Sequence, residues 1–389
     1  MKKYSVSTPE GTRDKLFSEC SLRAGLTERL KTLFSKHGYQ EVITPSVEYY
    51  DVFLDSGTPL EPESMLKLID RAGRILVLRP DVTTPIARIA ATKLSSVDAP
   101  YRLYYVQSVF RSDIEHSGRS METLQAGVEL LGASGIRPDV EMIALAVQSL
   151  EACALSDYRL EIGHAGFFRA VTSALGASPE KVEEMRRLVE EKNFAALNDI
   201  LKEFGENPYA GALRKLPQLF GGKEVLEEAL GLIDDPLAAD AISYLRAIFS
   251  ELEAAGLSER VMIDLGLVNE INYYTGAVFR GYASGAGGTV LSGGRYDQLA
   301  GAFGRPMPAT GFAIDVDALS ECVLMPEDGA LREIVWYEDG CLKEALSYID
   351  ALPAGSAALS VALLREDAEK DAAKKNVGLT VIGNGGVKK

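Results

Sequence analysis

The sequence predicts an α+β protein: a sheet domain interrupted by a helical insertion and closed by a short α/β segment. Three observations predict it. Short apolar runs of strand character gather before residue 163 and resume after 261. Between them, residues 164–258 are rich in Ala, Leu, Glu and Lys and keep a nearly continuous helical period. The tail 325–389 holds a strand, a helix and further apolar segments, but is short for a domain of usual size.

The elements follow in order. Leu16, Phe17, Leu22, Leu26, Leu30, Leu33 and Phe34 recur at helical spacing, so 16–37 is a helix that Gly38 ends. Residues 39–45 form a short strand, and Pro45 confines it to an edge or marks its end. Ile75–Leu78 and Arg102–Val106 are strands, 82–94 and 138–152 helices, and Tyr158–Gly163 a strand. In the insertion, Pro179-Glu180-Lys181 suits a first helical turn, and Pro236 breaks the run. Strands resume at Val261–Leu265, Tyr273–Phe279 and Gly288–Leu291, and a helix is expected to begin near Gly311. Glu333–Trp336 is a strand and 341–351 a helix; the polar end Asn384–Lys389 is expected to fray. The domain division is therefore 1–163 and 259–324 for the sheet domain, 164–258 for the insertion and 325–389 for the tail.

Composition bounds the function. A length of 389 residues suits two or three domains, and 47% hydrophobic with 25% charged residues argues against wholesale disorder. The net charge of -15 disfavours non-specific nucleic-acid binding. No apolar run is long enough to span a membrane, and the start has no signal-peptide pattern. Cys20, Cys153, Cys322 and Cys341 are scattered without metal-ligand spacing, so neither a metal nor a cofactor is expected; lone thiols fit a cytoplasmic location.

Four stretches carry chemical meaning. Pro9-Glu10-Gly11-Thr12-Arg13-Asp14 with Gly38–Pro45 is, alone, no more than a helix-to-strand turn. In Leu78-Arg79-Pro80-Asp81-Val82-Thr83-Thr84-Pro85 a carboxylate and a hydroxyl offer acceptors to a primary ammonium, although Asp81 also suits a helix cap. Phe110-Arg111, Gly118-Arg119 and Gln125-Ala126-Gly127-Val128-Glu129 come next; Gln125, Gly127 and Glu129 alternate onto one strand face, and apolar neighbours mark Glu129 as a buried, functional acid. Last are Asn272–Phe279, Gly293-Gly294-Arg295-Tyr296-Asp297 and Gly311–Leu319.

Together and in this order, these stretches resemble histidyl-tRNA synthetase, a class II synthetase, from about Pro9 to Leu319. The resemblance implies an antiparallel sheet flanked by helices. It implies that Asp81 and Thr83 grip an amino acid's ammonium, that Arg111 serves the carboxylate end, that Gln125 and Glu129 contact histidine, and that Tyr273 and Tyr274 surround the imidazole. It also implies a homodimer through the first stretch.

Two departures break the pattern. Asn269 stands where that family has its histidine-specific Arg, and Ala318 where it has a triphosphate-binding Arg; Glu270 and Asp315 add negative charge. Adenylation needs cations on the triphosphate, and losing one stabilising donor can cost ~10²–10³ in rate. No full anticodon-binding domain follows, so tRNA binding is not expected. A synthetase-like body without activation residues resembles the regulatory subunits of short-form ATP phosphoribosyltransferase. That resemblance implies no catalytic residues here, L-histidine as ligand, and a hetero-oligomer with the short catalytic subunit, which histidine inhibits by feedback. The competing reading is a divergent synthetase-like enzyme that activates an amino acid; Arg111 and Arg119 keep it open.

Overall fold

The computed structural model describes residues 6–54, 62–112, 120–268, 274–323, 331–353, 355–383 and 385–388. Two compact units emerge, one of residues 1–14 and 23–323, the other of 15–22 and 324–389. Expectations resting on Arg119, Asn269, Glu270 and Tyr273 lie outside the described residues.

In chain order the elements to the end of the first sheet half are α1 (Ser18–Lys36), β1 (Gln40–Glu41), β2 (Val47–Tyr49), α2 (Asp51–Leu54), β3 (Lys67–Ile69), β4 (Ile75–Leu78), α3 (Thr83–Thr92), β5 (Tyr101–Phe110), β6 (Glu122–Leu131), α4 (Ile136–Ala152) and β7 (Tyr158–His164). Then come α5 (Ala165–Leu175), α6 (Pro179–Glu190), α7 (Phe194–Leu201), α8 (Pro208–Lys215), β8 (Phe220–Gly221), α9 (Glu224–Leu232) and α10 (Pro236–Ala254). The sheet resumes with β9 (Val261–Asp264), β10 (Ala277–Ala283), β11 (Thr289–Arg295), β12 (Ala309–Asp315) and α11 (Val316–Cys322). The last are β13 (Glu333–Tyr337), α12 (Leu342–Asp350), β14 (Ala357–Leu359), α13 (Arg365–Lys375), β15 (Gly378–Gly383) and β16 (Gly386–Lys388).

In the larger unit, nine strands form one sheet in the order β1-β5-β6-β12-β11-β10-β7-β9-β8. The run from β5 to β7 is antiparallel throughout; β1 joins β5 and β9 joins β7 in parallel. This is the expected antiparallel sheet flanked by helices. A smaller sheet, β2-β4-β3, stands apart from it.

Helix α1 ends as expected at Gly38, whose φ is 81°; Tyr39 N donates to Phe34 O at 3.1 Å across the turn. Its apolar stripe buries Leu26, Leu30 and Phe34, and the Phe34 ring meets those of Tyr104 and Phe312. The strand expected over 39–45 is reduced to two residues at the sheet's edge, before Pro45.

Two expectations are corrected. No helix begins at Gly311: residues 309–315 are a strand deep in the sheet, and α11 starts at Val316. A strand covered on both faces loses the alternation that distinguishes it from a buried helix. Near the chain end, residues 386–388 are a strand rather than loose chain: Val387 pairs with Ile382 and Lys388 with Val381. In that smaller unit, β13, β14 and β15 are parallel, and Val335, Cys341, Ala345 and Ile382 form its core.

Candidate ligand site

The site is built where β4 runs into α3 and where β5, β6 and β12 lie side by side. Arg79 leaves β4 only 4% exposed; its Nε donates to Ser108 O and its Nη1 to Thr44 O, each at 2.7 Å. The guanidinium fork thereby straps the strand end to the large sheet. Two residues on, Asp81 turns its carboxylate to the helix start: Oδ1 accepts from Thr84 N at 2.7 Å and Oδ2 from Thr84 Oγ1 at 3.1 Å. Burial pushes the Asp81 carboxyl up, while the Thr84 amide and the Arg111 charge act against it. Arg111 Nε is fixed by Pro80 O at 3.0 Å, beside that acid.

Thr83 donates its hydroxyl to Glu129 Oε1 at 2.6 Å. Glu129 sits near the C-terminal end of β6, opposite Leu103 of β5 and Gly311 of β12, and is 1% exposed. Tyr296, just beyond β11, donates to its other oxygen. Burial pushes the Glu129 carboxyl up to about 8; the bonds from Thr83 and Tyr296 oppose this and Asp81 adds to it. With these surroundings Glu129 is largely protonated at neutral pH.

Glycines make the room. A Cβ at Gly127 would meet the Tyr105 ring at 2.6 Å, and one at Gly294 would meet the Tyr274 ring at 2.7 Å. Tyr105 is 1% exposed and lies among Glu129, Asp81 and Tyr274, whose proximity, after burial, raises its hydroxyl far above the ordinary value.

The structure thus gathers Asp81, Thr83, Arg111, Glu129 and Tyr274. Gln125 shares the Glu129 face but stands four residues away, roughly 13 Å along the strand, opposite Gln107 and Asp315. The sequence pattern does not mark Tyr105 and Tyr296 as ligand residues, yet both lie within the Glu129 cluster. Their signals were present: Tyr296 lies in the Gly293–Asp297 stretch, and Tyr105 alternates with Leu103 inside an apolar run.

At the other end, the Asp315 carboxylate is engaged by its own helix: Oδ1 accepts from Ala318 N at 2.9 Å and caps α11. Burial pushes this carboxyl up as well. The cluster therefore offers acidic and hydroxyl groups at one end, with the Arg111 guanidinium beside them, an arrangement matched to a zwitterion carrying N–H donors. An open depression of about 410 Å³ lined by Tyr49, Asp51, Arg74 and Ile75 belongs to the smaller sheet and contains none of these groups. Among the described residues, no cluster of His, Cys, Asp and Glu could hold a metal, and no helix is long and apolar enough to cross a membrane.

The histidyl-tRNA synthetase family model matches residues 11–319. A curated relative from Clostridium acetobutylicum, named ATP phosphoribosyltransferase regulatory subunit, is 42% identical over 83% of this chain and 80% of its own. A crystal structure from Bacillus halodurans C, described as an ATP phosphoribosyltransferase regulatory subunit/histidyl-tRNA synthetase, superposes with a TM-score of 0.87 at 32% identity, covering 98% of this chain and 99% of that one. Histidyl-tRNA synthetase from Nostoc sp. PCC 7120 shares the fold, with a TM-score of 0.79 at 22% identity over 98% of this chain and 92% of that one. With the sheet order, the matched segment and these relatives in agreement, the chain belongs to the ATP phosphoribosyltransferase regulatory subunit family, built on the histidyl-tRNA synthetase fold.

Proposed function

We propose that this chain is a non-catalytic, histidine-sensing subunit that joins the short catalytic subunit of ATP phosphoribosyltransferase in the cytoplasm, activates it and confers feedback inhibition by L-histidine. The observation that carries the reading is Glu129, a buried acid that hydroxyls and a neighbouring acid surround. An imidazole N–H delivered there satisfies a carboxylate that burial otherwise disfavours. In this reading Asp81 and Thr83 take the ammonium, Arg111 serves the carboxylate end, Gln125 and Glu129 contact the histidine, and Tyr273 and Tyr274 surround the imidazole.

The lack of catalysis rests on Ala318, which puts a methyl group where the synthetase pattern has a cation, and on Asp315, whose carboxylate stands at the same helix start. Developing charge on a leaving pyrophosphate needs cations, and an acid opposes it. Regulation follows from linkage: a ligand that favours one state of an assembly shifts the whole assembly towards it. A homodimer within the hetero-oligomer belongs to the same reading.

Calorimetry with free L-histidine tests it, repeated on Glu129→Ala and followed by activity assays with the short catalytic subunit present. Binding that Glu129→Ala abolishes, with histidine inhibiting the mixture, is expected. A chain that binds no histidine, or binds it unchanged after Glu129→Ala, moves the sensor elsewhere. Arg111 beside Asp81 supports the second reading, an amino-acid-activating enzyme. Histidine-dependent ATP–pyrophosphate exchange would establish that reading and end the first.

A further inference from the structure

Two polar ties run from the helices between β7 and β9 to the residues that seat the Glu129 cluster. The first starts at Tyr244 on α10, whose hydroxyl donates to Asp139 Oδ2 at 2.7 Å. Asp139, on α4, is 1% exposed. It receives Arg295 in a two-pronged pair, Nε to Oδ2 at 3.0 Å and Nη2 to Oδ1 at 2.8 Å. Arg295 is itself 6% exposed, and its remaining donors reach Asp297 Oδ1 at 3.1 Å and Gly135 O at 3.1 Å. Its next neighbour in the chain is Tyr296, the donor to Glu129.

The second tie starts on α5. Arg169 donates from Nη1 to Tyr274 O at 3.0 Å and from Nη2 to Thr275 O at 3.2 Å. The two ties meet: Thr275 N donates to Arg295 O at 2.7 Å, and Asp297 N donates to Thr275 Oγ1 at 3.1 Å. The Arg295 stem lies against Gly276, where a Cβ would come within 2.9 Å of Cδ. Tyr274 and Tyr296 therefore both depend on the junction of Arg295 with Thr275, and α5 and α10 each hold that junction by a side chain.

A bidentate, buried arginine–carboxylate pair has one geometry and tolerates little drift. Ligand affinity depends on how well the walls of a site are organised before binding. We propose that Tyr244 and Arg169 are positioning residues: through Arg295 and Thr275 they fix Tyr296 and Tyr274, so that the helices between β7 and β9 set the ligand affinity of the Glu129 site. The affinity part of this statement rests on the histidine-binding reading above. Thermodynamic reciprocity then requires that histidine in turn tighten the two ties.

The experiment uses the full chain and four variants: Tyr244→Phe, Arg169→Ala, Arg169→Lys, and Lys223→Ala as a control. Lys223 pairs with Glu253 on the surface of the same helical segment, at 2.9 Å. Two quantities are read: amide hydrogen exchange over 274–276 and 294–297, which needs no ligand, and the histidine Kd. Tyr244→Phe and Arg169→Ala should speed exchange in those two stretches and weaken binding between about 5- and 150-fold, the usual range of a coupling between sites. Arg169→Lys, which can serve one carbonyl but not both, should fall between Arg169→Ala and the parent, and Lys223→Ala should change neither quantity. Unchanged exchange in Tyr244→Phe and Arg169→Ala overturns the proposal, and so does faster exchange with an unchanged Kd. If the parent chain binds no histidine, the ligand reading fails by itself, and the exchange arm alone decides whether Tyr244 and Arg169 position the two tyrosines.

Discussion

The Glu129 carboxylate fills the space that a side chain at Gly311 would need. The two residues are direct partners across β6 and β12, and a Cβ on Gly311 would overlap Glu129 Oε2. Gly311→Ala should therefore drive Glu129 off Thr83 and Tyr296. The expected cost is about 1–3 kcal/mol of stability, with loss of histidine binding. Thermal unfolding and calorimetry on the same preparation check it; native values in both would contradict the arrangement.

Stability without ligand should fall as pH rises. The folded Glu129 carboxyl lies at about 8, above its ordinary 4.5, so between those values the folded chain binds more protons than the unfolded one. The advantage is full below about 4.5 and is lost as pH climbs through 8. Glu129→Gln removes this dependence, so it should gain on the parent from pH 5 to 8.5 by on the order of a few kcal/mol. Denaturant midpoints at the two pH values measure the gain, and parallel profiles would count against the burial argument.

Histidine binding should exchange almost no protons with buffer near pH 7.2. At that pH Glu129 carries a proton before binding and free imidazole, with a pKa of about 6.5, carries none, while the complex shares one between them. Calorimetry in phosphate and in Tris should return equal enthalpies at pH 7.2. At pH 8.6 they should diverge, because binding then draws a proton from solution. Divergence already at pH 7.2 would mean an ordinary, ionised Glu129.

Asp315→Ala should cost about 0.5–2 kcal/mol, the usual range for an N-cap, since the carboxylate accepts from Ala318 N. Ala318→Arg, alone or with Asp315→Ala, should leave ATP–pyrophosphate exchange at background. One cation does not reassemble a triphosphate clamp. An isotope exchange assay reads the outcome directly, and robust exchange in either variant would place the block elsewhere.

Most strands and helices were legible because each has a clear apolar period. What escaped was set by distant partners. The run Arg102–Val106 announced β5, but the strand continues through Gln107, whose amide is satisfied by Thr44, 63 positions away. Gly311 looks like a helix start in the sequence because Phe312, Ala313 and Ile314 are apolar on both faces of what is a strand. Tyr105 and Tyr296 became central only when register set Tyr105 opposite Gly127 and brought Tyr296 to Glu129. Asp81 was legible as an acid at a helix start, where its carboxylate accepts from Thr84 N; its part in a ligand site is what the resemblance implies.

The floor beneath Glu129, Tyr105 and Tyr274 is defined by Gly311, Gly127 and Gly294, that is, by atoms absent from the backbone rather than by groups that react. Charges at a rim can be exchanged one at a time without disturbing such a hollow, whereas any methyl added beneath it collides at once. Side chains at the rim can therefore vary while these glycines cannot, so the contour of the hollow is the part of it least free to change.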